Sequence, residues 1–161
     1  MDLVNIYTRT TIKGPRRRDG CFLYVLEMET SKGPATLSKI EEIENSTENK
    51  AELKALIGAL KRLKKPCALN IYTYSAHVAA GFDKGWLDGW INNEWKTKKG
   101  EPVANMEEWQ ELANLLNEHE FQFLVGQHHS YSTWMQGELE KKEKERKSCT
   151  TDSENLTQQQ K

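Results

Sequence analysis

The chain has 161 residues, enough for one domain with a real core, and its 37% hydrophobic and 29% charged residues exclude a fibrous, low-complexity or membrane-embedded chain. Its net charge of −1 is unevenly spread: the stretch from Lys141 onward carries 6 of the 23 basic and 4 of the 24 acidic residues, which leaves a body of 17 basic against 20 acidic. A slightly acidic body argues against strong non-specific attachment to nucleic acid, whose affinity comes mainly from phosphates neutralised by Lys and Arg.

No apolar run reaches the length of a membrane span, and the N-terminal MDLVNIYT lacks the basic and apolar regions of a signal peptide. Cys21, Cys67 and Cys149 are odd in number and far apart. The expectation is a cytoplasmic address, free thiols, no structural metal and no membrane partner.

In chain order, Leu3–Thr10 (LVNIYTRT) is predicted as a strand, the polar and basic IKGPRRRDG as a turn, and Cys21–Thr30 (CFLYVLEMET) as a second strand paired with the first in a hairpin. Thr36–Ile43 gives a third strand. STENKAELKALIGALKRLKK spaces Leu53, Leu56, Ile57, Leu60 and Leu63 along one face of a helix, with Ser46 or Thr47 as its N-cap and a basic last turn ended by Pro66. CALNIYTYS is an apolar strand of the kind found mid-sheet under helices on both sides. It repeats four letters of the first strand, since NIYT occurs at Asn5 and again at Asn70.

AHVAAGFDKGWLDGWINNEW is predicted as a short helix pair, NMEEWQELANLLNEH as an amphipathic helix and FQFLVGQ as a final strand. From Thr133 a helix runs into LEKKEKERK. The segment SCTTDSENLTQQQK is polar and aromatic-free, so a domain over 1–147 and a disordered tail over 148–161 are expected. The order βββαβαβα predicts an α/β fold with a mixed sheet flanked by helices.

Several motifs in this order resemble bacterial type 1 ribonuclease H from Val4 to about Leu139. They are IYT in the first strand, AEL inside the first helix, IYTYS on the fourth strand, GW…GW…EWKT…PVAN…W through the middle and G…EL near the end. The resemblance implies an RNase H-like fold, with a five-stranded mixed sheet of three antiparallel strands followed by two parallel ones, flanked by helices. It also implies a nuclease that cuts the RNA strand of an RNA–DNA hybrid using two divalent metals. Such ions sit about 4 Å apart and take hard oxygen ligands, mainly carboxylates.

Carried over position by position, the resemblance matches Glu52 in AEL to the helix carboxylate. Arg9 stands where the first carboxylate would follow IYT, Tyr74 where the third would stand, and Gly137 where the fourth would precede Glu138 and Leu139. Gln127 follows Gly126 where a loop histidine is expected. His128 or His129 substitutes only if that loop is re-registered, and as sequence neighbours they read as loop polarity. A guanidinium does not deprotonate to admit a metal. The expectation is therefore a centre with no metal and no cofactor. Mg²⁺ or Mn²⁺ belongs to the alternative in which Glu52, Glu138 and a nearby acidic residue form a rebuilt site. Arg9 and Glu52 are expected to pair across the former metal position, with Tyr74 filling space or donating its hydroxyl beside them.

The resemblance also matches Thr47 and Asn105 to a phosphate pocket, Asn49 to a groove contact, and Ser75 and Trp86 to a channel that follows the DNA strand. Plainer readings stand beside these: Thr47 as a helix cap, Asn49 bonding locally, and Trp86, Trp90, Trp95 and Trp109 as core or half-buried anchors. PRRR at 15–18 and KTKK at 96–99 lie within reach of phosphates, although such runs are more often solvated loops. The expected function is a catalytically inactive ribonuclease H-like domain that holds RNA–DNA hybrid or double-stranded nucleic acid weakly. The alternatives are an active ribonuclease H with a rebuilt site, and a protein-interaction scaffold.

Overall fold

A computed structural model describes residues 1–159, with side chains through 148. Its elements run β1 (Asp2–Thr10), β2 (Arg18–Thr30), β3 (Gly33–Ser46), α1 (Glu48–Leu60), β4 (Cys67–Thr73), α2 (Ala76–Asp83), α3 (Trp86–Asn92), α4 (Met106–Leu116), β5 (Glu120–Val125) and α5 (Ser132–Gln159). The strands form one mixed sheet in the order β3-β2-β1-β4-β5. β1, β2 and β3 are antiparallel neighbours, while β4 and β5 join parallel to β1. This is the architecture expected from the motifs. β3 is longer than the expected Thr36–Ile43 because it pairs with β2 along nearly its whole length, from Thr30↔Gly33 to Arg18↔Ser46.

Alternation along the strands builds two cores. Val4 and Ile6 of β1, Phe22, Tyr24 and Leu26 of β2, and Leu69 and Ile71 of β4 face α1, where Leu53, Leu56, Ile57 and Leu60 close over them; Trp109, Leu112 and Leu116 of α4 complete this side. On the opposite face Tyr7, Cys21, Leu23 and Val25 pack against Met135 and Leu139 of α5. Side chains in β4 alternate between buried and half-buried. The expectation of a strand buried on both faces is therefore corrected, because α5 covers the second face only around Tyr7, Leu23 and Val25 and leaves Asn70 and Tyr72 half-open.

Thr47, not Ser46, caps α1, its hydroxyl accepting the Lys50 N–H at 3.2 Å. The helix stops at Leu60, so the basic segment from Lys61 follows the helix instead of forming its last turn. The expected boundary at 147/148 falls inside α5; the side chains from 149 onward and residues 160–161 lie outside the described residues, and most of the tail expected over 148–161 falls there. Cys21 and Cys67 are buried free thiols. Among the described residues, no helix is long and apolar enough to cross a membrane.

Trp109 is 1% exposed and packs its ring within 5.1 Å of Trp90 and 5.9 Å of Phe82. Trp109→Ala should cost about 3–5 kcal/mol in urea denaturation, the usual loss for a buried aromatic. Trp86→Ala, at a residue 36% exposed, should cost about 1 kcal/mol or less. Equal losses would contradict this division of the tryptophans.

Candidate functional site

The site grows out of the pairing of β1 with β4. Their parallel register sets Asn5 beside Asn70, Ile6 beside Ile71 and Tyr7 beside Tyr72. Thr8 and Thr73 follow directly, on the face under α1. Both donate their hydroxyls to one oxygen, Glu52 Oε1, with Thr73 at 2.6 Å. Thr73 Oγ1 accepts in turn from the Ser75 N–H at 3.0 Å. Glu52 is 2% exposed. Burial raises its carboxyl above the ordinary range, against the opposing pull of the Thr73 and Thr8 hydroxyls and the positive charge of Lys13.

Arg9 and Tyr74 come one residue later and belong to the other face. The Arg9 guanidinium lies over the Tyr74 ring, 4.9 Å from its centroid, and Nη1 donates to the Ser132 carbonyl at 3.5 Å. The expected Arg9–Glu52 ion pair does not form: strand alternation sends Thr8 and Thr73 towards Glu52 and turns Arg9 towards α5. Tyr74 likewise offers its ring to Arg9 and no hydroxyl to Glu52. At the remaining positions carried over from the motifs, Gln127 is exposed in the loop after β5, and Gly137 sits on α5 where an added Cβ would meet nothing within 4 Å. Glu138 faces Lys141 at 3.9 Å.

His128 is exposed, but His129 is more than loop polarity. Its ring packs 4.3 Å from Tyr7 and 5.5 Å from Tyr72, and its Nδ1 accepts the Tyr131 N–H at 3.2 Å. Burial, followed by the charges of His128 and Arg9, pushes its pKa down to about 4, so the imidazole is neutral at physiological pH.

Thr47 and Ser75 serve as the N-caps of α1 and α2, each accepting a backbone N–H from its own first turn. An accepting hydroxyl keeps its own proton for a ligand. Asn105 precedes α4 with φ 60°, and its side chain takes no part in the cap. Asn49 is half-buried in the first turn of α1. Trp86 opens α3 and is partly exposed, its ring 5.3 Å from His77 and 6.4 Å from Trp90. The half-exposed Trp86 is thus set apart from Trp109 in the core and from Trp90 and Trp95 packed against it. Thr8, Thr73 and Ser132 were not singled out by sequence reasoning. For the threonines the signal was present in the repeated IYT.

A divalent cation needs converging hard oxygen ligands. Here the matched helix carboxylate is buried and already holds two hydroxyls, and the neighbouring strand position carries a fixed cation. Among the described residues, no group of three or more His, Cys, Asp or Glu is arranged to hold a metal ion. The residues present do not fit a two-metal centre.

The family model described as RNase H matches residues 2–137. The chain is 35% identical over 130 residues to a Ribonuclease H of Thermoanaerobacter sp. (strain X514), covering 81% of each protein, and 33% identical over 130 residues to a Ribonuclease H of Clostridium botulinum, covering 81% of this chain and 86% of that protein. A Ribonuclease H of Caldicellulosiruptor saccharolyticus is 42% identical over 90 residues, a match that spans 56% of this chain and 62% of that relative's length. Among solved structures, LC9-RNase H1, a type 1 RNase H with the type 2 active-site motif, superposes with a TM-score of 0.69 at 20% identity, covering 85% of this chain and 70% of that one. The solution structure of the PFV RNase H domain gives a TM-score of 0.59 at 22% identity, with 87% and 90% covered. Both structural likenesses speak to the fold alone.

The environment of Glu52 predicts a pH dependence. A carboxyl whose folded pKa is raised favours the protonated form, so stability is greatest below the unfolded value, taken as 4.5, and falls as pH rises through the folded value. Glu52→Gln keeps the acceptor oxygen without the charge. It should raise the Tm at pH 7 and lose that advantage below about pH 4.5. A variant less stable than the parent at pH 7 would show that the charge is favourable where it lies.

Proposed function

The chain belongs to the ribonuclease H family, and from that premise we propose that it is a nucleic-acid-binding domain that holds RNA–DNA hybrid, or a closely related duplex, without cutting it at this site. The observation that carries the reading is the chemistry at the four matched positions: three carry no carboxylate, with Arg9 stacked on Tyr74 and Gly137 lacking a side chain, and the fourth, Glu52, is enclosed by two threonines. Two-metal hydrolysis relies on carboxylates that converge on the ions. A guanidinium neutralises a phosphate but has no coordination sites with which to bind and activate a water molecule or clamp the attacking and leaving oxygens as metal ions do.

The gripping residues support binding. Thr47 and Ser75 stand at helix N-termini, where backbone N–H groups and the helix dipole favour anions. Asn105 has an amide its own helix does not use, and Trp86 offers a half-exposed ring suited to packing on sugars or bases. The slightly acidic body argues for weak, local contact with the duplex over broad electrostatic attraction.

A second reading is favoured by the relatives, each named Ribonuclease H at 33–42% identity. It holds that the chain cleaves hybrid through a rebuilt carboxylate set containing Glu52 and Glu138, with Mg²⁺ or Mn²⁺.

One pair of assays separates the readings. Incubated with labelled hybrid in Mg²⁺ or Mn²⁺, the protein should release no product above background, and a cleavage activity abolished by Glu52→Gln would establish the second reading. In parallel, hybrid binding should weaken as salt rises and fall roughly 3- to 10-fold in Trp86→Ala and in Asn105→Gly, a substitution that tolerates the positive φ. Absence of any hybrid binding would leave a protein-interaction scaffold as the explanation.

A further inference from the structure

Beside Arg9 the end of β1 and the loop after it face α5 across a cleft of about 370 Å³. Four cations line it: Arg9, Lys13, Lys144 and Lys147. Two carboxylates also reach it, but each has donors of its own. Glu143 takes the Arg146 guanidinium at 2.7 Å, the Thr11 hydroxyl at 2.9 Å and the Cys21 thiol at 3.1 Å. Glu140 accepts the Gln136 amide at 3.2 Å. The cleft therefore has an excess of positive charge within a body that is acidic overall.

Arg9 is positioned in a way that suits a ligand. The Tyr74 ring and the Ser132 carbonyl fix its plane while engaging one of its five N–H donors. A guanidinium held flat with open donors matches the geometry of a phosphate and binds it at two points. Lys144 and Lys147 are one helical turn apart on α5, so they extend the positive edge along one line. Both lie beyond the residues 2–137 that the family model matches, which makes this edge a feature of this chain's own C-terminal helix.

We propose that this cleft binds a backbone phosphate of nucleic acid without any metal ion, Arg9 gripping the phosphate oxygens and Lys13 and Lys144 supplying the surrounding charge. The inference rests on the reading of the chain as a hybrid-binding domain and adds to it a metal-independent anchor outside the matched gripping residues. No bond is made or broken, and the phosphodiester leaves as it arrived.

The test is fluorescence anisotropy of a labelled RNA–DNA hybrid with the full chain, in EDTA and again in Mg²⁺, over a range of salt. The expected result is binding in EDTA as tight as in Mg²⁺, reduced about 5- to 20-fold in Arg9→Gln and in Lys144→Gln, each lowering the slope of log affinity against log salt by about 1. Lys39→Gln, at an exposed residue of β3 paired with Glu41, should leave affinity unchanged. Lys144 is exposed, so its variant decides the matter even if Arg9→Gln disturbs folding. Wild-type binding with affinity and salt slope untouched by both variants would overturn this inference and leave the hybrid-binding reading standing. Binding that requires Mg²⁺ and vanishes in EDTA would also overturn it, pointing back to a metal centre. A wild-type protein that binds no hybrid in either condition would overturn both.

Discussion

The in-register parallel pairing of β1 with β4 is the constraint from which the rest of the site follows. Because Asn5, Ile6 and Tyr7 lie beside Asn70, Ile71 and Tyr72, each letter of the repeated NIYT becomes a lateral pair. The asparagines bond to each other at 3.1 Å and extend a polar row from Gln122 on β5 to Glu27 on β2. The isoleucines are fully buried under α1, the tyrosine rings stack at 4.7 Å, and the threonines share one carboxylate oxygen. A slip of one residue would turn every pair to the wrong face of the sheet. The threonines would then miss Glu52, leaving a buried carboxylate without donors.

The same alternation separates the charges. Glu52 lies on the α1 face and Arg9 on the α5 face, so the sheet divides a buried acid from the cation that would have been its natural partner. Each finds a substitute. For Glu52 it is two hydroxyl donors, which offset part of the desolvation, and burial still raises the carboxyl above its ordinary range. For Arg9 it is an aromatic face, an attraction of about 0.5–1 kcal/mol at a partly exposed site. The Tyr74 ring and the Ser132 carbonyl engage one of the five N–H donors of the guanidinium.

Much of the fold was legible because its signals are local and periodic. Leucines at helical spacing located α1, alternating strands located the hairpin, and the order of elements with the Trp and PVAN motifs led to the sheet topology. Side-chain direction at the site was less legible. Opposite charges point to an Arg9–Glu52 pair, but side-chain direction depends on strand phase, and the phase is hidden in a repeat whose meaning appears only once the strands are set side by side. β4 misled for a related reason: a run of apolar and aromatic letters cannot reveal that a helix covers only part of one face. His129 has polar neighbours in sequence, whereas its neighbours in space are Tyr7 and Tyr72.

Cleavage and grip are physically separable in such a fold. Carboxylates crowded at one point repel each other unless cations are bound among them, so a metal centre is a source of strain in the empty protein. Arg9, Tyr74 and Gly137 remove that repulsion, and with it the ligands that would make two ions act together. The groups proposed to hold a duplex lie elsewhere, on helix N-termini, an asparagine amide and an exposed indole, and their placement depends on the positions of α1, α2, α3 and α4 instead of on the charge at the centre. The sheet that positions those helices is held by the β1–β4 register, which the altered residues leave intact. Arg9, Tyr74 and Gly137 therefore leave the helices around the sheet in place, because that placement rests on strand register and not on the charge at the centre.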